Sequence, residues 1–135
     1  MNTGRFAGTA IGVWVVRVAL NWTFYTQVMA GHYQQIMEAH PGMFREVIPA
    51  YIFTDLIFSV AFAFLFVKVG AALGGGMKAG IFLGVIVSIL SPVVGMLYQY
   101  YSFTWLPANL AVTDVLFQVI AHAIEGAVAG LIYKK

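Results

Sequence analysis

The chain has 135 residues, of which 61% are apolar and 9% are charged, with a net charge of +2 and no cysteine. Because soluble proteins carry roughly 25% charged residues, this composition predicts a single integral membrane domain over residues 1–135. The lack of cysteine excludes disulfide bonds, thiolate metal sites and a cysteine nucleophile, and the scattered basic residues form no cluster of the kind that binds nucleic acid.

Four long apolar segments follow one another, at about 6–29, 47–73, 77–100 and 108–133. Each is long enough to cross the roughly 30 Å hydrocarbon layer as a tilted helix, and a helix satisfies its own backbone groups where no water is present. The first segment carries Arg17 and runs on too far for a cleavable signal. The sequence therefore predicts an all-α membrane protein, a bundle of four transmembrane helices, named here spans 1 to 4.

The basic residues predict the orientation of the spans. The first connection has only Arg45, and the third has no charge, whereas five basic residues occur at the termini and in the second connection: Arg5, Lys68, Lys78, Lys134 and Lys135. Cytoplasmic loops are enriched in such residues, so we expect both termini in the cytoplasm. The aromatic residues of 98–105 would then lie at the outer interface.

The first connection, residues 30–46, is the longest loop. Its start could extend span 1 until Pro41 and Gly42 end the helix. His32, Glu38 and His40 could bind a metal ion there, but they lack the close spacing of a metal site. An ordinary solvated loop is the favoured interpretation, and no metal site is predicted.

The two halves of the chain match each other. Residues 7–13 align with 79–85, and the Pro-Ala and Thr-Asp pairs at 49–50 and 54–55 align with those at 107–108 and 113–114. The alternative is chance matching between apolar segments. Duplication is favoured, and it predicts two tandem helical hairpins in parallel, related by a pseudo-twofold axis along the membrane normal.

Glycines four residues apart predict close helix packing, because small residues let two backbones approach each other. Three such pairs occur in spans 1, 3 and 4: Gly8 and Gly12, Gly80 and Gly84, and Gly126 and Gly130. Pro92 lacks a backbone N–H and is expected to kink span 3.

Span 4 carries four polar residues at spacings of four, four and three, which places them on one helix face: Asp114, Gln118, His122 and Glu125. Polar groups are costly in hydrocarbon, so this face should turn towards protein. Arg17, His122 and Glu125 lie at similar depth, roughly 14–18 Å from the inner surface at the helical rise per residue. We therefore expect an Arg17–Glu125 ion pair that His122 could share.

Other polar groups extend this cluster. Asn21 lies one turn above Arg17, and Asp55 is the repeat mate of Asp114, nearer the outer face. Lys68 could reach the cytoplasmic interface or join the cluster. The cluster could be a structural contact between helices. It could instead be a proton or ion relay, or His122 could bind a haem or chlorophyll-type pigment.

A weak resemblance follows from the opening Met1-Asn2-Thr3-Gly4-Arg5, the four spans and the glycine-rich ending at 126–133. Together they resemble a loose group of small four-helix bacterial inner-membrane proteins, mostly uncharacterised. The group has no assigned activity, so the resemblance implies no catalytic residue and no cofactor.

No Ser-His-Asp arrangement, phosphate-binding loop or nucleotide motif is present, so we expect no enzyme and no catalytic residues. The leading hypothesis is an accessory subunit or assembly partner of a larger membrane complex. The alternatives are a small proton- or ion-coupled carrier, as a homodimer, and a haem- or pigment-binding subunit. The expected partners are the lipid bilayer and either other membrane subunits or a second copy of the chain.

Overall fold

The computed structural model describes residues 2–42 and 47–133, and these ranges contain helices and no strand. The six α-helices are α1 (Thr3–Thr23), α2 (Ala30–Ala39), α3 (Ile48–Val69), α4 (Gly76–Ser88), α5 (Val94–Ser102) and α6 (Ala108–Ile132), with π-helical turns at Phe24–Val28 and Ile89–Val93. The predicted all-α class is confirmed. Arg45, Lys134 and Lys135 lie outside the described residues.

Three helical segments are long and apolar enough to cross a membrane: Ile48–Val69, Gly76–Ser102 and Ala108–Ile132. They correspond to predicted spans 2, 3 and 4, and their length and apolar composition are those of a membrane protein. Span 1 is not among them. The helix α1 has 21 residues, but polar residues such as Arg17 and Asn21 lower its mean hydropathy.

The helix of span 2 ends earlier than predicted, at Val69 rather than near residue 73. The next helix begins at Gly76. This residue and the two before it, Gly74 and Gly75, all have positive φ. Only glycine adopts such angles without strain, so this run of glycines sets the tight connection between α3 and α4.

The first helical run ends close to its predicted end near Met29, because α1 leads into a π-helical turn at Phe24–Val28 and then a bend at Met29. The predicted continuation towards Pro41 is a separate helix, α2, which ends at Ala39, two residues before Pro41. Pro92 lies inside the second π-helical turn, where the missing N–H requires such an adjustment.

The helices pack in the order α3, α1, α6, α4. The helix α1 lies between α3 and α6, and α4 packs along α6, whereas α3 and α4 barely touch each other. A twofold repeat would make the α3–α4 contact as extensive as the α1–α6 contact. Contacts of the described residues do not show that symmetry, so the duplication stays a prediction from the sequence.

Two apolar clusters hold the bundle together. The inner cluster joins all four long helices: Val13, Phe62, Phe66, Ala79, Leu83 and Ala129. The outer cluster is formed by Phe24, Met29, Met96, Leu106, Leu110 and Ala111, with Tyr33 and Ile36 of α2 packed against it. Within it the rings of Phe24 and Phe117 stack with centroids 3.8 Å apart. The polar residues of α6 lie between these two clusters.

Glycines bring α4 and α6 into backbone contact. A Cβ atom on Gly80 would overlap the carbonyl oxygen of Gly126, and one on Gly84 would overlap the carbonyl oxygen of His122. Gly130 meets the backbone of Gly76 in the same way. Close backbone packing of this kind stabilises helix pairs in membranes, where the hydrophobic effect does not drive helices together.

The glycines of α1 have a different partner. Gly8 and Gly12 face the side chain of Ile132 on α6. They therefore lie at the α1–α6 contact and not at the α1–α3 contact that would be their repeat equivalent. This contact also places the start of α1 and the end of α6 together at one end of the bundle. It is named the inner end because the sequence predicts cytoplasmic termini.

Candidate functional site

Arg17 is the centre of a polar network between three helices. Its Nε donates to Asp55 Oδ1 on α3 at 2.8 Å, and its Nη1 donates to both carboxylate oxygens of Glu125 on α6 at 3.1 and 3.2 Å. The helix α1 packs between α3 and α6, so one guanidinium reaches both neighbours. The side chains of Arg17 and Asp55 are each 14% exposed, and that of Glu125 is fully buried.

His122 belongs to the same network. Its Nδ1 lies 2.8 Å from the backbone oxygen of Gln118, and its Nε2 lies 3.4 Å from Arg17 Nη1. A carbonyl oxygen only accepts, so Nδ1 carries the proton of that bond and Nε2 presents its lone pair to the guanidinium. Both ring nitrogens are thereby used within the protein.

An aromatic ring supports the centre of the network. The Arg17 Cζ lies 3.9 Å from the centroid of Phe58, and that ring also meets His122 edge-on at 5.0 Å. A guanidinium over an aromatic face is stabilised electrostatically. Phe58 thus covers a face of the Arg17 guanidinium, a role that the sequence analysis did not foresee.

Asn21 and Asp55 continue the network towards the outer end. The Asn21 Nδ2 donates to both carboxylate oxygens of Asp55 at 3.2 and 3.3 Å. Asp55 therefore accepts from two residues of α1, one turn apart. Ser59, one turn further along α3, donates a hydrogen bond from its hydroxyl to the backbone oxygen of Asp55 at 2.7 Å.

A second branch lies nearer the outer end and centres on Tyr25. Its hydroxyl donates to Asp114 Oδ1 at 2.6 Å and accepts from Gln118 Nε2 at 3.0 Å. Sequence reasoning missed Tyr25, although Arg17, Asn21 and Tyr25 follow one another at intervals of four and so share a helix face. That spacing was the available signal.

The structure places Lys68 outside the network. Its side chain is exposed on α3 and its Nζ lies 5.4 Å from the ring centroid of Phe64. Of the two predicted alternatives, a lysine directed to the membrane interface fits this position. The other predicted members of the cluster are joined by the hydrogen bonds described above.

The charges of the central group do not balance. One guanidinium contacts two carboxylates, Asp55 and Glu125, while Asp114 accepts from the neutral hydroxyl of Tyr25. Yet the hydrogen bonds are complete, since no buried side-chain nitrogen or oxygen in the described part of the chain lacks a partner. The network therefore joins α1, α3 and α6 through completed hydrogen bonds.

Cofactor chemistry finds little support in this geometry. An axial ligand must offer an unshared ring nitrogen to iron, and both nitrogens of His122 are shared. Within residues 2–42 and 47–133, no group of three or more His, Asp or Glu side chains is placed to hold a metal ion. In the first connection, Glu38 accepts from Gln34 at 3.0 Å.

Tyr33 belongs to α2, which follows the bend at Met29, and it packs against the outer cluster. Burial, followed by the charge of Asp114, raises the pKa of its hydroxyl to about 12. The hydroxyl is therefore neutral at physiological pH and packs as part of the outer cluster.

The chain matches no known family profile, and it finds no match among curated proteins or among solved structures.

Proposed function

We propose that this protein is a four-span membrane protein that acts as a non-catalytic accessory subunit or assembly partner of a larger membrane complex. The fourth span is α1. Its 21 residues give it a length of about 30 Å, and it packs between two helices that are apolar enough to cross a membrane. It has two charged residues: Arg5 lies exposed in its first turn, and Arg17 contacts those two helices.

Charge distribution supports cytoplasmic termini in a bacterial inner membrane. Arg5, Lys68 and Lys78 lie at the inner end, and Lys134 and Lys135 follow the last described residue of α6. Of the acidic residues that the structure describes, Glu38, Asp55, Asp114 and Glu125, none lies there. Positive residues without acidic ones at one end of a bundle are typical of the cytoplasmic side.

The observation that carries the subunit proposal is that the polar network satisfies itself. Every buried polar side-chain atom described has a partner within the chain. The cleft at the inner end and the shallow groove on α1 around Trp14 and Trp22 include no residue of the network. The polar groups of the network are all engaged in hydrogen bonds, which hold α1, α3 and α6 together. Such a network suits a structural subunit better than a substrate-binding site.

The experiment is native electrophoresis of membranes solubilised in a mild detergent, with the protein detected by a terminal tag. We expect a band larger than a homodimer, and we expect deletion of the gene to change the mass of the complex that its partners form. Migration as an isolated monomer or dimer would contradict the subunit proposal.

A proton- or ion-coupled carrier is the second candidate, and the charge imbalance at Arg17 favours it. Two carboxylates share one guanidinium in a buried position, which is a setting where a carboxyl group can take up and release a proton. Proton flux into liposomes should then fall strongly in Glu125→Gln and stay unchanged in Lys68→Gln. Equal flux in wild type and Glu125→Gln would exclude this function.

A further inference from the structure

The chain contains two aspartates, Asp55 and Asp114, and they have different partners in the bundle. Asp55 accepts hydrogen bonds from the guanidinium of Arg17 and from the amide of Asn21. Asp114 accepts its hydrogen bond from the hydroxyl of Tyr25 at 2.6 Å, and it forms no ion pair with any residue that the structure describes. Asp55 is therefore paired with a cation, whereas the described partner of Asp114 is neutral.

Asp114 is buried in an apolar part of the bundle. The residue is 4% exposed, and Leu110 and Ala111, one turn before it on α6, belong to the outer cluster. Position 114 lies about 9 Å along the axis from the start of α6, at the helical rise per residue, in a helix that is apolar enough to cross a membrane. An ionised carboxylate is costly in such surroundings unless a cation lies beside it, and the neutral acid avoids this cost.

One oxygen of the Asp114 carboxyl group is available for a proton. Tyr25 donates to Oδ1, and Gln118 Nε2 donates to the Tyr25 hydroxyl at 3.0 Å, so the hydroxyl proton is directed to Oδ1. Oδ2 has no hydrogen-bond partner within the described residues. Because every fully buried side-chain oxygen of those residues has a partner, Oδ2 is the atom through which Asp114 keeps its small exposure. A proton can reach Oδ2 while the bond from Tyr25 stays in place.

The titratable groups around Asp114 do not supply a positive charge. Tyr25 of the first π-helical turn and Tyr33 of α2 lie on one side, with ring centroids 6.0 Å apart, and burial, followed by the charge of Asp114, raises the pKa of Tyr33 to about 12. The tyrosines of α5 are exposed. On α6 itself His122 is two turns away, and Arg17 of α1 is engaged with the other two buried carboxylates.

From this geometry we infer that Asp114 is a proton-binding site of the bundle. A proton from water at the outer end adds to Oδ2 and converts the carboxylate into a neutral carboxylic acid, while Oδ1 continues to accept from Tyr25. Release of the same proton restores the carboxylate, and no other bond changes. The inference is independent of the subunit proposal and of the carrier candidate, because it requires no protein partner and does not involve Glu125.

The test is infrared spectroscopy of the protein in lipid vesicles, with aspartate isotope-labelled at its carboxyl carbon so that its bands are separated from those of glutamate. We expect a protonated-carboxyl band from aspartate at about pH 7, where exposed aspartates are ionised, and its loss at higher pH. Asp55→Asn leaves Asp114 as the one aspartate of the chain and should keep the band, whereas Asp114→Asn should lose it. Absence of the band from the unaltered protein at about pH 5–8 would overturn the inference, as would its persistence in Asp114→Asn.

A further variant tests whether the proton binds beside Tyr25. Tyr25→Phe keeps the ring and removes a hydrogen bond that stabilises the ionised carboxylate more than the neutral acid. The band should then persist to a pH about one unit higher, which corresponds to about tenfold tighter proton binding. Tyr101→Phe, at an exposed ring, should leave the titration unchanged. Each variant is first compared with the unaltered protein by circular dichroism, and if folded Tyr25→Phe titrates as the unaltered protein does, the inference fails.

Discussion

At the scale of single residues, Arg17 does more than pair with one carboxylate. It joins α1 to α3 through Asp55 and to α6 through Glu125. Phe58 covers one face of its guanidinium. Because arginine keeps its charge under all ordinary conditions and presents a planar fork of donors, a lysine at this position could not serve both carboxylates with the same geometry.

Replacing Arg17 should lower the free energy of unfolding more than replacing an exposed charged residue does. Arg17→Gln leaves the fully buried Glu125 without its cation, and breaking a buried pair in this way typically costs about 3–5 kcal/mol. Unfolding in detergent, followed by circular dichroism, measures the loss. Lys68→Gln, which removes an exposed cation from the same bundle, should change stability by less than about 0.5 kcal/mol.

The double variant Arg17→Gln/Glu125→Gln tests the pairing itself. It removes both charges, so it should be more stable than the sum of the two single losses predicts. Additive losses would mean that the two side chains act independently and that Asp55 is the main partner of Arg17.

Tyr25 should matter through its hydroxyl alone. Tyr25→Phe keeps the ring contacts but leaves Asp114 and Gln118 without the group that joins them. The cost should be about 1–3 kcal/mol, as for other buried polar groups that lose a partner. Tyr101→Phe, at a ring that is 80% exposed, is the matched control, and an equal effect of both variants would contradict the role of the second branch.

At the scale of elements, the glycine pairs have unequal roles. On α4 and α6 they bring two backbones together, whereas on α1 they face the flexible end of one isoleucine. A backbone cannot move aside without shifting a whole helix, but a side chain can rotate. The same sequence pattern thus marks one rigid contact and one adaptable contact.

Alanine at these glycines should separate the two cases. Gly80→Ala forces α4 away from Gly126 and should cost more than about 1–3 kcal/mol, the usual cost of overpacking, while Gly12→Ala requires only Ile132 to move and should cost less. Gly95→Ala meets no atom within 4 Å and should be neutral or stabilising by up to about 1 kcal/mol through helix propensity. Thermal unfolding in one detergent compares all three, and equal losses at Gly80 and Gly12 would contradict this ranking.

At the scale of the whole molecule, the number of spans depends on α1. Within the described residues, three helices are long and apolar enough to cross a membrane. The polar face of α1 explains why its mean hydropathy is too low for this helix to be counted as a span. Mean hydropathy weights every residue equally, whether it faces lipid or protein. In the packed bundle Thr9 is buried and Arg17 contacts other helices, as a spanning α1 would require.

The chain lacks cysteine, so single introduced cysteines can report sidedness without a background. With four spans, Thr3→Cys and Leu73→Cys should react with a membrane-impermeant maleimide only after the inner side is opened. Gln35→Cys and Thr104→Cys should react in intact cells. If Thr3→Cys and Gln35→Cys react from the same side, α1 does not cross the membrane and three spans remain.

The sequence alone determined the class of the protein and the faces of its helices. Length and hydropathy located spans 2 to 4, and the intervals between Asp114, Gln118, His122 and Glu125 fixed which side of α6 turns inward. The cost of a lone charge in hydrocarbon made Arg17 the expected partner of Glu125. All of these properties depend on order along one chain, which periodicity and transfer energy can describe.

Only the tertiary structure decided which groups share a partner. It brought Asp55 to Arg17, added Tyr25 to Asp114, turned Gly8 and Gly12 towards Ile132, and left α3 and α4 apart. These outcomes depend on distances between helices, and those distances follow from how glycines, rings and π-helical turns pack together. A pattern along the chain gives the direction and depth of a side chain, but packing chooses its neighbour.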